Sequence, residues 1–221
     1  MKVKFAHVSD CHLGSWRKDT LNEVGYAAYN KMIEIIIKEE VDFIIISGDL
    51  FDVSHPKVDV LDLAIKGLKK LFDNNIPVYG IMGSHDFSPS GKSMLRPLIS
   101  AGLFKKLYRG DSDNDNKLNL YFTEDKKTKI KLTGIRARKR SLELNDYESL
   151  DRKSLEQEEG TKIFVLHTLL SELKPLEFKD MKTGPKSILP RNFLYYAGGH
   201  LHKTVPEKLR EGDQTLVVNE K

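Results

Sequence analysis

Residues 43–52 read Phe-Ile-Ile-Ile-Ser-Gly-Asp-Leu-Phe-Asp, and no stretch of the chain constrains its fold more. Four apolar residues in a row, three of them β-branched, predict a strand buried on both faces, as in a parallel sheet covered by helices. The run passes through Ser47 and Gly48 into the carboxylate of Asp49. An acid at the carboxyl end of a buried strand lies where open α/β sheets carry their binding sites. A buried charge persists only when it is paired or bound to metal. Asp49 therefore requires a cation, and the rest of the chain must supply what holds it.

The flanking sequence repeats the arrangement. Val3–Val8 predicts a first strand running into Ser9-Asp10-Cys11-His12-Leu13-Gly14. A helix capped by Asp19 or Thr20 follows, through Ala27, Met32, Ile35 and Ile36 to about Glu39. Pro56 opens a second helix with Leu61, Ala64, Leu68 and Leu71 at helical spacing, closed by Asn74-Asn75. Ile76–Met82 predicts a third strand, running into Gly83-Ser84-His85-Asp86, with a third helix over Lys92–Ala101. This alternation implies parallel βαβ units and an α/β fold. In the middle of the chain, Leu118–Phe122 and Lys129–Leu132 predict an antiparallel hairpin around Thr123–Lys127. A basic run, Arg136–Arg140, precedes a charged, helical stretch over Ser141–Gly160. Lys162–Leu166 predicts a strand ending at His167, and Phe193–Ala197 another, running into Gly198-Gly199-His200-Leu201-His202-Lys203. A last strand is expected at Thr215–Val218.

Five strand ends thus carry Asp10 and His12; Asp49; Ser84 and His85; His167; and His200 and His202. A single histidine at a strand end is more often structural than a ligand. Five such ends on one sheet edge converge in space, and that reverses the odds. Carboxylates with imidazoles and no cysteine set favour Mn²⁺, Fe or Zn²⁺ over Ca²⁺. The candidates are too many for one tetrahedral ion, and two ions sharing a carboxylate would use them all.

Composition sets the remaining bounds. The 221 residues, 39% apolar, suit one large domain, and the net charge of +4 is compatible with an anionic substrate without specifying one. The single cysteine, Cys11, excludes an internal disulfide and fits a reducing cytosol. No run approaches the length of a membrane span. The expectation is a cytoplasmic protein.

Asp10-x-His12, Gly48-Asp49-x-x-Asp52, Gly83-Ser84-His85-Asp86, His167 and Gly199-His200-x-His202 together resemble the five motifs of calcineurin-like metallophosphoesterases. Within that superfamily Asp10-Cys11-His12-Leu13-Gly14, Gly48-Asp49-Leu50-Phe51-Asp52 and residues 195–203 are most similar to the Mre-Eleven/SbcD DNA-repair nucleases. The resemblance implies a four-layer α/β/β/α sandwich with its site at the strand ends. It implies two Mn²⁺ ions, one held by Asp10, His12, Asp49 and His202, the other by Asp49, Ser84, His167 and His200. It also implies that His85 faces the scissile phosphate and protonates the leaving oxygen, with Asp86 placed to orient it. The implied activity is phosphodiester hydrolysis in DNA, as a 3′-to-5′ exonuclease and single-strand endonuclease in double-strand-break repair. The implied partners are DNA, a second copy of the chain and a Rad-Fifty/SbcC-type ATPase, in the cytoplasm and at the nucleoid of a prokaryote. The chain reads as one nuclease domain over 1–221, without the family's capping domain and ATPase-docking segment.

The residues leave two other functions open: a phosphoesterase for nucleotides or phosphoproteins, and a non-catalytic scaffold binding DNA ends or the ATPase. The family usually has Asn where this chain has Ser84, so binding of the second ion through water, and a weaker second site, is the expectation there. Asp52 either supports a ligand from behind or caps the following helix. His7, inside the first strand, reads as a satisfied core histidine, and His55 as a surface residue. Arg17 and Lys203 are candidate phosphate contacts, as is Lys18. The Arg136–Arg140 run is either a solvated surface or a stripe for the DNA backbone.

Overall fold

The computed structural model describes residues 2–88, 92–113, 116–176 and 181–202. In chain order the elements are β1 (Phe5–Val8), α1 (Asp19–Lys38), β2 (Phe43–Ile46), α2 (Val58–Asp73), β3 (Val78–Gly80), α3 (Leu95–Ser100), β4 (Lys105–Lys106), β5 (Gly110–Ser112), β6 (Leu118–Leu120), β7 (Thr123–Glu124), β8 (Lys131–Ile135), α4 (Glu143–Glu148), α5 (Arg152–Gln157), β9 (Lys162–His167) and β10 (Tyr195–Gly199). One sheet has the order β1-β2-β3-β4, all parallel. The second runs β10-β9-β8-β7, parallel except for β7. β5 and β6 form a separate antiparallel pair.

The two-faced burial of β2 explains the layering. Alternate strand residues point to opposite faces. Ile44 and Ile46 join Tyr29, Ile33 and Ile36 of α1 and Ala64 and Leu68 of α2 in one core. Phe43 and Ile45 face the other way, into a second core with Leu132 of β8 and Ile163 and Val165 of β9. β9 repeats the device, since Phe164 and Leu166 pack against Tyr147 of α4 and Leu155 of α5. Three cores in series make four layers, α/β/β/α, the architecture expected from sequence. In α1 the buried positions Tyr29, Met32, Ile33 and Ile36 fall at i, i+3, i+4 and i+7, one helical face. The helix places Asp19 in its first turn and Lys38 in its last, complementing its dipole.

The middle of the chain departs from expectation. β6 pairs with β5, not with the Lys129–Leu132 segment. The antiparallel partner of β8 is the two-residue β7, through Thr123–Leu132 and Glu124–Lys131. Asp125 explains the change. Its buried carboxylate accepts the Lys127 and Thr128 N–H groups and the Thr128 hydroxyl on one oxygen, and the Tyr79 hydroxyl at 2.8 Å on the other. The turn therefore closes after Asp125. The expected helix over Ser141–Gly160 is two short ones, α4 and α5. Between them the chain is drawn onto β6 by Leu118 N–H to Ser149 O and Asp151 N–H to Leu118 O. The strand expected at Thr215–Val218 lies outside the described residues.

Candidate metal centre

The loops after β1 and β2 are not free ends. Asp10 N–H donates to Gly48 O, His12 N–H to Asp49 O and Leu13 N–H to Leu50 O, at 3.0–3.1 Å. Parallel pairing thus continues past the strands proper, and buried Leu13, Leu50 and Phe51 anchor it. Within this frame Asp10, His12 and Asp49 adopt left-handed backbone conformations with φ of 56°, 43° and 50°, and His200 does so with φ of 80°. Each such residue costs on the order of 1–2 kcal/mol, and such strain concentrates at functional sites. Room is made by Gly83: a Cβ there would stand 2.1 Å from Asp49 Oδ1.

The expected ligands assemble in two groups. Asp10, His12 and His202 offer donor atoms within 4.8 Å of one another, and so do Asp49, His167 and His200. Asp49 Oδ2 lies 3.0 Å from His167 Nε2 and 3.9 Å from His12 Nε2, so one carboxylate oxygen faces both groups. His12 Nε2 and His202 Nε2 are 3.1 Å apart. Ser84 Oγ donates to the same Asp49 oxygen at 3.3 Å, which puts its hydroxyl at the second group.

His167 tests whether this set suits a cation. Its Nδ1 lies 2.7 Å from Ser47 O, and a carbonyl only accepts, so Nδ1 carries the proton. Its buried Nε2 makes no hydrogen bond of good geometry and points at a carboxylate. A lone pair and a carboxylate oxygen this close require a shared cation, either a proton or a metal ion. Burial works against the charged ring, but Asp49 and then Asp10 outweigh it and push the His167 pKa up to about 9. Burial would raise Asp10, yet His202, His167 and Ser9 hold it down to about 2. Asp49 is likewise held down, against burial, by His167 and the His85 N–H. Burial depresses His12 and His200, favouring the neutral imidazole that metals bind. The donor set fits divalent ions.

His85 sits beside the first group, its ring edge-on to His12 at 4.7 Å between centroids and half-exposed. Its Nδ1 donates to Asp52 O at 2.6 Å. The Asp52 carboxylate lies 3.8 Å from that nitrogen and 3.0 Å from His12 Nδ1. The expected partner of His85, Asp86, is elsewhere. Its fully buried carboxylate accepts Phe51 N–H at 3.1 Å and Gly83 N–H at 2.8 Å, tying the Asp49 loop to the Ser84-His85 turn. Burial, then Asp49, push its pKa up to about 6. The residue that backs both histidines is Asp52. The sequence signal for it was the Gly48-Asp49-x-x-Asp52 spacing. It is no helix cap, because α2 begins after Lys57.

The other candidates separate. His7 is a satisfied core histidine: Ser47 Oγ donates to Ala197 O, His7 Nε2 meets Ser47 Oγ at 2.7 Å, and His7 Nδ1 meets Tyr195 Oη at 3.0 Å. Burial brings its pKa down to about 4. His55 and Arg17 are exposed. Lys203 lies outside the described residues. The run Arg136–Arg140 is no single stripe. Arg136 packs between Tyr108 and Phe87, Arg138 pairs with Asp146 at 2.8 Å, and Lys139 and Arg140 are exposed.

Two stacked parallel sheets whose strand ends bring two Asp/His groups to one edge define a metal-dependent phosphoesterase. The calcineurin-like phosphoesterase family matches residues 3–204, and the chain belongs to it. Within that family, it is 30% identical over 220 residues to a protein of Methanococcus maripaludis named DNA double-strand break repair protein Mre11, covering 97% of this chain and 55% of the relative. Proteins of the same name from Saccharolobus solfataricus and Sulfurisphaera tokodaii are each 34% identical, over 206 and 215 residues. These cover 90% and 91% of this chain and 49% of each relative. The chain spans about half the length of the curated relatives it matches. No helix among the described residues is long and apolar enough to cross a membrane.

Proposed function

We propose that this chain is the catalytic core of a DNA nuclease of double-strand-break repair, hydrolysing backbone phosphodiesters with two Mn²⁺ ions. The observation that carries the metal-dependent part is the Asp49 carboxylate facing both ligand groups, His167 Nε2 at 3.0 Å and His12 Nε2 at 3.9 Å. The similarity to relatives named for DNA double-strand break repair favours DNA as substrate.

In this reading Asp10, His12, Asp49 and His202 hold one ion, and Asp49, Ser84, His167 and His200 the other. Bound divalent ions supply an activated water and neutralise charge on the phosphate. The chain's own residues do the rest. Asp52 O fixes the proton on His85 Nδ1, which leaves Nε2 as the exchangeable position. A protonated Nε2 stabilises charge developing on the phosphate and gives its proton to the leaving oxygen. Asp86 acts one step back, as the brace that sets the height of the Ser84-His85 turn over Asp49. Arg17 and Lys203 are candidate contacts to flanking phosphates. The reading extends to exonuclease polarity from 3′ to 5′, single-strand endonuclease activity, a homodimer, an ATPase partner in the longer protein, and a place at the nucleoid in the cytoplasm.

The test is Mn²⁺-dependent cleavage of single-stranded DNA by the chain and by Asp49→Asn. Loss of the shared ligand should lower turnover by about 10²-fold or more. Cleavage at the parental rate would refute the assignment of the site. Anomalous scattering at the manganese edge gives an independent count of ions at the two groups.

A further inference from the structure

β8 ends at the same edge as the metal-binding strands, yet the loop directly after it supplies no residue to the centre. Its next residue is Arg136, and Ala137 N–H donates to Met82 O at 3.0 Å, fastening this segment to the turn that carries Ser84 and His85. The Arg136 guanidinium lies over the Tyr108 ring at 5.0 Å and the Phe87 ring at 5.8 Å, both within cation–π range. Phe87 follows His85 by two residues, a separation of at most about 7 Å between Cα atoms. Lys106 Nζ stands over the same Tyr108 ring at 5.8 Å.

The charges of this corner are unbalanced. Burial lowers the Lys106 pKa, and the guanidiniums of Arg136, Arg109 and Arg96 lower it further, so four cations share one neighbourhood. Among the described residues none of the four forms an ion pair, and the nearby carboxylate Asp146 pairs through Oδ1 with Arg138 and through Oδ2 with none of them. Arg136 Nε is buried without a hydrogen-bond partner. Repulsion among cations and an unsatisfied buried donor both cost stability. An anion at this point would relieve the repulsion, and the two aromatic rings hold the guanidinium in place to receive it.

Resting on the nuclease reading above, we propose that Arg136 and Lys106, with Arg96 and Arg109 around them, form a subsite for a non-scissile phosphate of the DNA strand being cut. The subsite lies on the His85 side of the metal centre. As a contact to phosphate it carries no sequence information, and its rings are taken up by a guanidinium and not by a base. It sets where along the strand the scissile phosphate falls.

The experiment measures binding of a short fluorescein-labelled single-stranded oligodeoxynucleotide by anisotropy across a salt series. It is paired with steady-state cleavage of that strand and of bis-p-nitrophenyl phosphate, which carries one phosphate only. Arg136→Gln/Lys106→Gln should weaken binding about tenfold or more and flatten the salt dependence by about 0.7 for each phosphate the variant no longer neutralises. The KM for the strand should rise more than that for the small diester. Arg96→Gln/Arg109→Gln replaces exposed residues and decides the matter if the first variant does not fold, with the same shifts expected at smaller size. Lys69→Gln/Lys70→Gln, on α2, is the control for net charge and should leave all readings near the parent. Parental affinity and salt slope in both subsite variants would overturn the subsite and leave the nuclease reading standing. Equal loss on both substrates would also overturn it, placing the effect at the metal centre. A parent protein that turns over the small diester but neither binds nor cuts the strand would overturn the nuclease reading, and the subsite with it.

Discussion

Adding one methyl group at Gly83 should disable the centre without replacing a ligand. The Cβ of Gly83→Ala would lie 2.1 Å from Asp49 Oδ1 and 2.3 Å from Asp49 N, where ordinary contact begins at 3.4 Å. The turn and the Asp49 loop must therefore separate by at least about 1.3 Å, the difference between 3.4 and 2.1 Å. The Gly83 backbone is not in the left-handed region, so alanine tolerates the conformation and the penalty is steric. The separation breaks His85 N–H to Asp49 Oδ1, at 2.7 Å, and Phe51 N–H to Asp86 Oδ1, at 3.1 Å. Hydrogen bonds to charged acceptors contribute about 1.5–3 kcal/mol each, so losing both costs roughly 3 kcal/mol or more.

At 2–4 °C per kcal/mol for a chain of this size, the melting temperature should fall by roughly 6–12 °C. A displacement of about 1 Å at reacting groups costs on the order of 10²-fold in turnover. The assay is Mn²⁺-dependent hydrolysis of bis-p-nitrophenyl phosphate alongside a thermal melt. Gly198→Ala is the matched control, because its Cβ would meet nothing closer than Leu166 Cγ at 4.0 Å. That variant should keep its activity and change stability by less than about 1 kcal/mol, with reduced chain entropy favouring the folded state. Turnover in Gly83→Ala within about twofold of the parent would refute the claim that this turn's height over Asp49 sets the chemistry.

Asp52→Ala removes the carboxylate behind His12 Nδ1 but keeps the backbone carbonyl that holds His85. It should weaken Mn²⁺ at the Asp10, His12 and His202 group by about 10–100-fold and spare the other group. Calorimetric titration would show one of two binding steps displaced, and two unchanged steps would sink the role given to Asp52. Ser84→Asn exchanges a hydroxyl for a longer amide ligand at the Asp49, His167 and His200 group. It should tighten that ion by about tenfold, the lower end of what one supporting group changes. Unaltered or weaker binding there would show that Ser84 is not what limits the second ion.

What the sequence made legible follows from where information resides. β2 and β9 are buried on both faces, so their residues had to be apolar and their ends abrupt. The metal-capable residues stand at those ends, one to three positions past a recognisable run. β4 and β5 were not legible, for the opposite reason. Lys105–Lys106 and Gly110–Ser112 pair through backbone groups, with side chains mostly exposed, so no hydrophobic pattern marks them. The hairpin was misassigned because Asp125 reads as a turn residue, while its partner Tyr79 belongs to the other sheet, 46 positions away. Of the two readings left open for Asp52, the structure shows the supporting one, while Asp86 is not the partner of His85. The resemblance implied that Asp86 orients His85, but its carboxylate is taken up by the Phe51 and Gly83 N–H groups, and the carboxylate that reaches both rings comes from the neighbouring loop.

Contacts between the two sheets hold the residues of the centre in place. His167, from the second sheet, donates to Ser47 O at the end of β2 in the first. His200 N–H donates to both oxygens of Asp10, again from one sheet to the other, at 3.0 and 3.1 Å. Beneath them the chain Tyr195–His7–Ser47–Ala197 joins β10 to β1 and the end of β2 through a buried network whose donors and acceptors match. The edge where the sheets meet is thus closed by polar bonds, where the middle of the interface is closed by apolar contact. Ligands fixed in this way lose little freedom on binding an ion, so ion affinity depends chiefly on the donors themselves. That places the weight on Ser84. Its hydroxyl lies 3.3 Å from Asp49 Oδ2, on the shortest side chain that reaches the Asp49, His167 and His200 group.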